Sequence, residues 1–404
     1  MLAPGIRRRR TLALALGAAL TVGAALTAGP LPAAASGQIR HADGPTAVPG
    51  SYIVVLRDGV TAGTASVAAT ADRLTGRFGG AHGHVYDAAI RGFEARLSEP
   101  AARRLAADPA VAYVEQNHLA PLAAGVQLDP PSWGLDRIDQ RFLPLDQRYA
   151  YPNTAPDVRA YVVDTGIRAT HVDFQGSVGG GYDAVDGALP AADCNGHGTH
   201  LAGTVGGHLH GVAKDARLVP VRVLDCFGSG SYAQVIAGVD WVTRNAVKPA
   251  VALTGVGGSA STALDSAITN SINSGITWVV VAGSSNSNAC NFSPARVPAA
   301  LTVAGTGPTD ARMGSGNYGS CLDLFAPGQG ITSTWNTSDT ATNTISGTSM
   351  AAAHVAGCVA MVLSAHPTWT PAQVVAHLLA NATTGVVGNP GTGSPNRLLY
   401  CGTV

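Results

Sequence analysis

Five short, nearly continuous apolar segments in the later part of the chain constrain its fold most. They cover residues 158–163, 217–224, 250–256, 278–282 and 301–304. Between them, residues 232–246 and 262–274 repeat apolar side chains at helical spacing. Apolar strands that alternate with helices form a parallel sheet covered on both faces, because each helix returns the chain to the start of the next strand. We therefore predict an α/β fold with a doubly wound, mostly parallel sheet.

A smaller unit precedes this sheet. Residues 51–119 show the pattern strand, helix, two strands, helix, strand, which predicts a compact α+β domain of the ferredoxin-like type. Residues 117–128 are rich in small side chains and indicate a linker. An exposed, irregular linker is open to proteolysis, and we expect cleavage near Ala123 and Ala124.

The N-terminus has the pattern of a secretory signal peptide. Arginines at 7–10 precede an Ala/Leu-rich run from Thr11 to about Ala28, and residues 33–35 are alanines. A membrane anchor is the alternative, but the run is short and ends before a small-residue cleavage site. We expect a signal peptide over 1–35 and a secreted, extracellular protein that is not attached to a membrane.

The charge balance excludes one class of partner. Lysine plus arginine and aspartate plus glutamate both total 25, so the formal net charge is zero. Proteins that bind nucleic acids carry a concentrated basic surface. We therefore expect no nucleic-acid partner.

All six cysteines lie in the later part of the chain. They are Cys194, Cys226, Cys290, Cys321, Cys358 and Cys401. Export favours disulfides over free thiols, and the residues alone allow fifteen pairings. No C-x-x-C spacing occurs, which disfavours a zinc site.

Three side chains supply the roles of a nucleophilic catalytic site. Asp164 directly follows an apolar strand, where ligand sites of open parallel sheets lie. His197 is flanked by glycines, and Ser349 opens a helix of small residues. A serine is a weak nucleophile until a base takes its proton, and a carboxylate holds the base in the required tautomer.

The segments around these residues resemble the three motifs of the subtilisin-like serine peptidases. They are 164–167 (DTGI), 197–203 (HGTHLAG) and 347–351 (GTSMA), in the chain order that subtilisin uses. Residues 133–140 (WGLDRIDQ) and 291–296 (NFSPAR) resemble the secreted proteinase K and aqualysin branch.

The smaller unit resembles the inhibitory propeptide of the same enzymes, through residues 52–56 (YIVVL) and 111–116 (VAYVEQ). The resemblance implies a propeptide over 36–123, with its core at 51–119, and a subtilisin-like peptidase domain over 124–404. It also implies that the propeptide inhibits its own peptidase until the linker is cut. We expect a monomer.

The implied function is a secreted serine endopeptidase made as a self-processed zymogen. Ser349 would form an acyl-enzyme with polypeptide substrates, His197 would act as base and then acid, and Asp164 would orient the imidazole. The resemblance assigns the substrate backbone to two glycine-rich edges, formed by Gly228, Ser229 and Gly230 and by Gly255, Val256 and Gly257.

One departure from the family pattern supports an alternative. The family supplies an asparagine to the oxyanion hole after an apolar strand and a glycine, and here Ser284 follows Gly283. In subtilisin itself, loss of that asparagine lowers kcat by roughly 10²–10³-fold. The alternative is a weakly active or inactive subtilisin-like protein that binds peptides or a partner. Retention of all three catalytic residues favours the enzyme.

The resemblance also implies disulfides and calcium. It pairs Cys194 with Cys226 and Cys290 with Cys321, which leaves Cys358 and Cys401 for a third bridge. It places structural Ca²⁺ at Asp323 with the carbonyls of Pro298 and Ala300, and at a second set of residues. The second set is Asp136, Asp139, Gln140 and Asp146. A solvated acidic turn is the alternative there, because Arg148 stands where relatives have a ligand.

Overall fold

The computed structural model describes residues 36–42, 47–60, 66–118 and 125–403. The expected signal peptide and the expected cleavage position near Ala123 and Ala124 lie outside the described residues. The chain forms two compact units, Met1–Ala120 and Pro121–Val404. Each unit has its own apolar core.

The first unit is a five-stranded sheet with two helices, within its described residues. The strands are β1 Ile39–Arg40, β2 Ala47–Leu56, β3 Ala81–Tyr86, β4 Gly92–Arg96 and β5 Val111–His118, and the helices are α1 Val67–Phe78 and α2 Glu99–Ala106. The sheet order is β1-β5-β2-β4-β3. From β2 onward the element order is the predicted one, and β1 adds a parallel edge strand.

Local signals in the sequence set the ends of α1. The Ser66 side chain accepts a hydrogen bond from the Ala69 N–H and so satisfies one of the unpaired donors of the first turn. The helix ends at Phe78 and is followed by Gly79, which has a left-handed φ of 76° that favours glycine. Leu74 of this helix packs with Phe93 and Leu105 in the core of the unit.

The second unit contains the larger sheet. Its strands are β6 Gly125–Leu128, β7 Arg148–Tyr151, β8 Arg159–Asp164, β9 Tyr182–Asp183, β10 Arg217–Arg222, β11 Ala250–Thr254, β12 Gly258–Ser259, β13 Thr277–Val281, β14 Phe292–Ser293, β15 Leu301–Thr306, β16 Leu324–Pro327, β17 Ile331–Thr334, β18 Thr342–Ile345, β19 Thr383–Thr384 and β20 Arg397–Leu398. Its helices are α3 Trp133–Ile138, α4 His197–Gly206, α5 Tyr232–Asn245, α6 Thr262–Asn273, α7 Thr348–Ala365 and α8 Pro371–Asn381, with 3-10 turns at Val172–Phe174 and Ala289–Asn291.

The large sheet confirms the predicted doubly wound architecture. Its order is β19-β20-β16-β15-β13-β11-β8-β10-β9, and every pair is parallel except β19 with β20. Successive residues of β8 face opposite layers, because side chains alternate along a strand. Val162 packs in the core that contains α4 and α7, and Val163 packs in the core that contains α5 and α6.

Helix α7 is the central element of the first of these cores. It is long and apolar enough to cross a membrane by length and composition alone, but it is almost wholly buried inside the unit. A helix that is apolar on all sides must be covered on all sides. Its position therefore fixes Ser349, in its first turn, against the sheet.

The structure corrects the predicted linker. Residues 117–128 were expected to be irregular, but residues 117–118 belong to β5, and residues 125–128 form β6, which pairs antiparallel with β7. The four residues of β6 are too few to show a pattern of their own, and strand preference depends on the neighbouring strand.

Three disulfides are present. Cys194 pairs with Cys226, Cys290 with Cys321 and Cys358 with Cys401. These are the three pairs named from the sequence.

Candidate active site

The candidate catalytic residues lie where the central parallel strands end. Asp164 is the last residue of β8, and the neighbouring β11 ends one residue before Gly255. His197 is the first residue of α4, and Ser349 is the second residue of α7. The fold therefore gathers three distant segments at the carboxyl edge of the sheet, as expected for an open α/β sheet.

Asp164 and His197 are in direct contact. The Nδ1 atom of His197 lies 2.7 Å from Oδ1 of Asp164, and the same oxygen accepts the N–H of Thr165 at 2.8 Å. Asp164 is fully buried, whereas the His197 side chain is 27% exposed. A buried carboxylate that accepts from Nδ1–H fixes the ring and leaves Nε2 as the free proton acceptor.

The surroundings of His197 shift its pKa upward. Burial alone would lower the pKa, because it disfavours the charged ring. The charge and hydrogen bond of Asp164, together with the charge of Asp193, outweigh burial and raise the pKa above its usual value.

Gly255 is the common neighbour of all three side chains. Its carbonyl oxygen accepts a hydrogen bond from Ser349 Oγ at 3.3 Å. A Cβ atom on this residue would lie 2.5 Å from Oδ2 of Asp164 and 2.9 Å from Cε1 of His197. No side chain fits in that space, so the position requires glycine. The geometry thus assembles the carboxylate, the imidazole and the hydroxyl around one backbone unit.

Asp193, which the sequence analysis did not single out, fixes the segment that carries His197. Its Oδ1 accepts from the Thr165 hydroxyl and from the N–H groups of Asn195 and Gly196, at 2.8–2.9 Å. Its Oδ2 accepts from the N–H and the hydroxyl of Thr199. The signal available in the sequence was an aspartate just before an Asn-Gly turn and a helix start.

A groove of about 520 Å³ runs past the imidazole. The residues that line it are Thr165, Asn195, His197, Leu224, Phe227, Gly228, Ser229, Gly230, Gly255, Val256 and Gly257. All six residues expected to bind the substrate backbone are among them. Two backbone edges on one groove have room for an extended peptide because glycine adds no side chain.

Ser284 lies on an exposed loop directly after β13. Asn317, which is fully buried, holds this loop. Its Nδ2 donates to the carbonyl of Ala282 at 2.8 Å, and its Oδ1 accepts from the N–H groups of Ser285 and Ser287. Its backbone N–H donates to the Gly283 carbonyl at 2.9 Å. Asn317 was missed from the sequence because it lies 33 residues from the serine, in a different loop.

Three further histidines, His171, His200 and His354, bond to backbone carbonyls. The Nε2 atoms of His171 and His200 lie 2.9 Å and 3.0 Å from the carbonyls of Ala341 and Ile331, and Nδ1 of His354 contacts that of Met350. Burial lowers the pKa of both His200 and His354 to about 4. Neutral, buried rings of this kind are packing groups.

The second expected calcium site brings three carboxyl groups close enough to interact. Burial raises the pKa of Asp139 to about 7, with Asp136 and Asp146 adding their negative charge. One oxygen of Asp139 accepts from the Ala150 N–H, and the other is buried without a partner in the described residues. Both oxygens of Asp136 accept N–H groups, from Asp146 and Gln147. Gln140 donates through its amide to the carbonyls of Phe142 and Pro144.

The first expected calcium site is a single carboxylate. Asp323 accepts the Thr302 N–H at 2.7 Å, and burial raises its pKa to about 6. Ala300 lies in a turn that the Val297 carbonyl closes. Across the described ranges, no group of three or more His, Cys, Asp or Glu side chains forms a metal-binding cluster.

Comparison with known proteins decides the family. Residues 158–398 match the Subtilase family, and residues 51–123 match the Peptidase inhibitor I9 family. The chain belongs to the subtilase family. It is a subtilisin-like serine endopeptidase that carries an inhibitory propeptide of the I9 type.

This subtilase is similar to known serine proteases, one of which is named as an extracellular enzyme. An extracellular serine proteinase of Thermus sp. (strain Rt41A) is 54% identical over 374 residues, which are 89% of this chain and 91% of that protein. Alkaline serine exoprotease A of Vibrio alginolyticus is 49% identical over 81% of this chain and 62% of its own length. The relationship places this subtilase in the proteinase K and aqualysin branch and outside the cell.

A solved structure agrees with the fold. The crystal structure of a cold-adapted subtilisin-like serine proteinase matches with a TM-score of 0.65 and 50% identity. The match covers 67% of this chain and 97% of that protein. The prediction of a subtilisin-like α/β domain is therefore confirmed.

Proposed function

We propose that Ser349, His197 and Asp164 form the catalytic triad of this endopeptidase. His197 Nε2 takes the proton of Ser349 Oγ as the oxygen attacks the carbonyl carbon of the scissile bond. The imidazolium then gives that proton to the leaving amine, and an acyl-enzyme remains on Ser349. Water hydrolyses the ester by the same proton transfers in reverse. Asp164 holds the ring through Nδ1–H and stabilises the imidazolium.

The observation that carries this proposal is the position of all three side chains beside Gly255. A buried carboxylate 2.7 Å from Nδ1 explains why the imidazole is a base, and the Ser349 hydroxyl reaches the same backbone unit. The groove beside it takes the backbone of a polypeptide in extended form between residues 228–230 and 255–257.

Ser284 and the backbone N–H of Ser349 are the proposed donors to the oxyanion. A serine hydroxyl donates a hydrogen bond but has a shorter reach than an asparagine amide. We therefore propose an active enzyme with a weakened oxyanion hole. The Asp164–His197 hydrogen bond and the groove beside His197 support the enzyme over the binding-only alternative.

Substitution of the triad tests the proposal. Ser349→Ala and His197→Ala should each lower kcat for a chromogenic peptide strongly, on the order of 10⁶-fold as in subtilisin. Each should also leave the precursor uncut near Ala123 and Ala124. Ser364→Ala, on the last turn of the same helix as Ser349, is the matched control. Substantial turnover by Ser349→Ala would refute the assignment.

Maturation follows from the same chemistry. We propose that residues 36–123 act as an intramolecular inhibitor and that the enzyme cuts its own linker. The mature enzyme over 124–404 is proposed to be a monomer. Mass spectrometry of the purified product gives the new N-terminus and tests the cleavage of the linker. The mass of the mature enzyme in solution tests whether it is a monomer.

We also propose that Ca²⁺ binds near Asp139 and near Asp323. Among the described residues, one buried oxygen of Asp139 has no partner, and this oxygen and the raised pKa of Asp139 suit a hard cation with oxygen ligands. Asp136, Gln140 and Asp146 would complete one site, and the carbonyls of Pro298 and Ala300 the other. Bound calcium would neutralise buried carboxylates and stabilise the folded enzyme, with no part in the proton transfers above.

A further inference from the structure

Phe227 is the most exposed of the large apolar side chains in the described part of the chain, at 91%. It lines the same groove as His197 and the two glycine-rich edges. An aromatic side chain left in water gains free energy only when a ligand covers it. The position of the ring on the groove indicates that a peptide substrate is that ligand.

The backbone beneath Phe227 is fixed before any ligand binds. Oδ1 of Asp225 accepts the N–H groups of Phe227 and Ser229, both at 2.9 Å. The Asp225 N–H donates to the Ser229 carbonyl at 2.8 Å and closes the loop. A contact made from a preorganised backbone costs less ordering entropy on binding.

This loop is fastened to the segment that carries the catalytic imidazole. The disulfide between Cys194 and Cys226 holds their Cα atoms 4.9 Å apart, and the Asn195 amide donates to the Cys226 carbonyl at 3.0 Å. Cys226 directly precedes Phe227, and Asn195 lies two residues before His197. Phe227 and the imidazole therefore belong to one wall of the groove.

An extended peptide turns successive side chains to opposite faces. In a bound substrate, the residue that supplies the scissile carbonyl lies at Ser349. The substrate residue before it points its side chain to the opposite face of the extended peptide. We propose that Phe227 is a specificity-determining residue, whose ring packs against an apolar side chain at that preceding position. The proposal rests on the function proposed above, because it takes the substrate to lie along this groove.

Peptide series test this role. One series varies only the residue before the one that carries the scissile carbonyl, with glycine, alanine, leucine or phenylalanine. A second series varies the next residue toward the N-terminus. The wild-type enzyme should prefer leucine or phenylalanine over glycine in the first series. Phe227→Ala should lower that preference in kcat/KM about tenfold, the lower end expected for an apolar pocket contact.

Two further variants control for nonspecific effects. Phe227→Leu keeps an apolar side chain and should retain most of the preference. Phe142→Ala removes an equally large ring that is 67% exposed and does not line the groove, and it should change neither series.

The outcomes separate the two proposals. If Phe227→Ala remains active and keeps the wild-type preference, the specificity role is refuted while the triad stands. An equal loss of preference in both series also refutes it, since the contact would not belong to one substrate position. If the wild-type enzyme cleaves no peptide and a fluorophosphonate leaves no adduct on Ser349, the proposed function fails and this role fails with it.

Discussion

Replacing Gly255 by alanine tests whether the triad is assembled as described. The new Cβ would lie 2.5 Å from Oδ2 of Asp164 and 2.9 Å from Cε1 of His197. Neither neighbour can rotate away freely. Asp164 is fully buried and bonded to Thr165, and its Oδ1 bonds the imidazole.

The size of the effect follows from the overlap. A carbon–oxygen contact needs about 3.3–3.6 Å, so the methyl group and the carboxylate must separate by about 0.8–1.1 Å. A misplacement of about 1 Å costs about 10²-fold in rate. We therefore expect kcat/KM to fall about 10²-fold, which corresponds to about 2.7 kcal/mol of transition-state stabilisation.

The assay is peptide hydrolysis by mature Gly255→Ala, with circular dichroism and the melting temperature as checks of folding. Gly180→Ala is the control, because a Cβ there meets no heavy atom within 4 Å. A folded Gly255→Ala enzyme with kcat/KM within about threefold of wild type would refute the crowded geometry around Gly255.

Three further results are expected. Ser284→Asn should raise kcat about tenfold or more, because asparagine is a longer hydrogen-bond donor to the oxyanion. Adding Asn317→Ala to the same chain should abolish most of that gain, because it releases the loop that carries residue 284. An unchanged kcat in Ser284→Asn would show that another donor already serves the oxyanion. The value of kcat/KM should rise with pH through a midpoint above 6.5, since the imidazole must be neutral to act as a base and the pKa of His197 is raised. Asp193→Asn should move this midpoint lower. An unchanged midpoint would contradict the contribution of the Asp193 charge to the pKa of His197. A calcium chelator should lower the melting temperature of the wild-type enzyme and should lower that of Asp139→Asn by less. An unchanged melting temperature of the wild-type enzyme would refute structural calcium binding.

The parallel sheet could be predicted because its strands are buried on both faces. Such strands are nearly continuous apolar runs, and residues 278–282 (WVVVA) show this without any partner information. The start of α8 was also readable, since Thr370 and Gln373 form the capping box that their spacing predicts.

The pairs of short strands could not be predicted in the same way. β6 and β7 are held by each other, and β17 pairs with β18, so their stability depends on a partner distant in sequence. Helix α4 has small and polar residues on every face, and only its burial between neighbouring elements explains it. A periodic pattern is absent when all sides of a helix are covered.

Within the site, the family motifs located Asp164, His197 and Ser349. They could not show that Gly255 lies beside all three, because that arrangement depends on the register of β11 beside β8. The sequence also could not show that Asp193 and Asn317 each hold a loop in place, since each does so through hydrogen bonds to backbone groups.

Labelling of the mature enzyme with a fluorophosphonate, followed by peptide mapping, shows whether Ser349 is an activated nucleophile. The serine oxygen attacks the phosphorus of such a reagent and displaces fluoride, which leaves a phosphonyl ester on the serine. One adduct is expected, on Ser349, and it should disappear in His197→Ala. An adduct on a different serine, or none on a folded enzyme, would contradict this expectation.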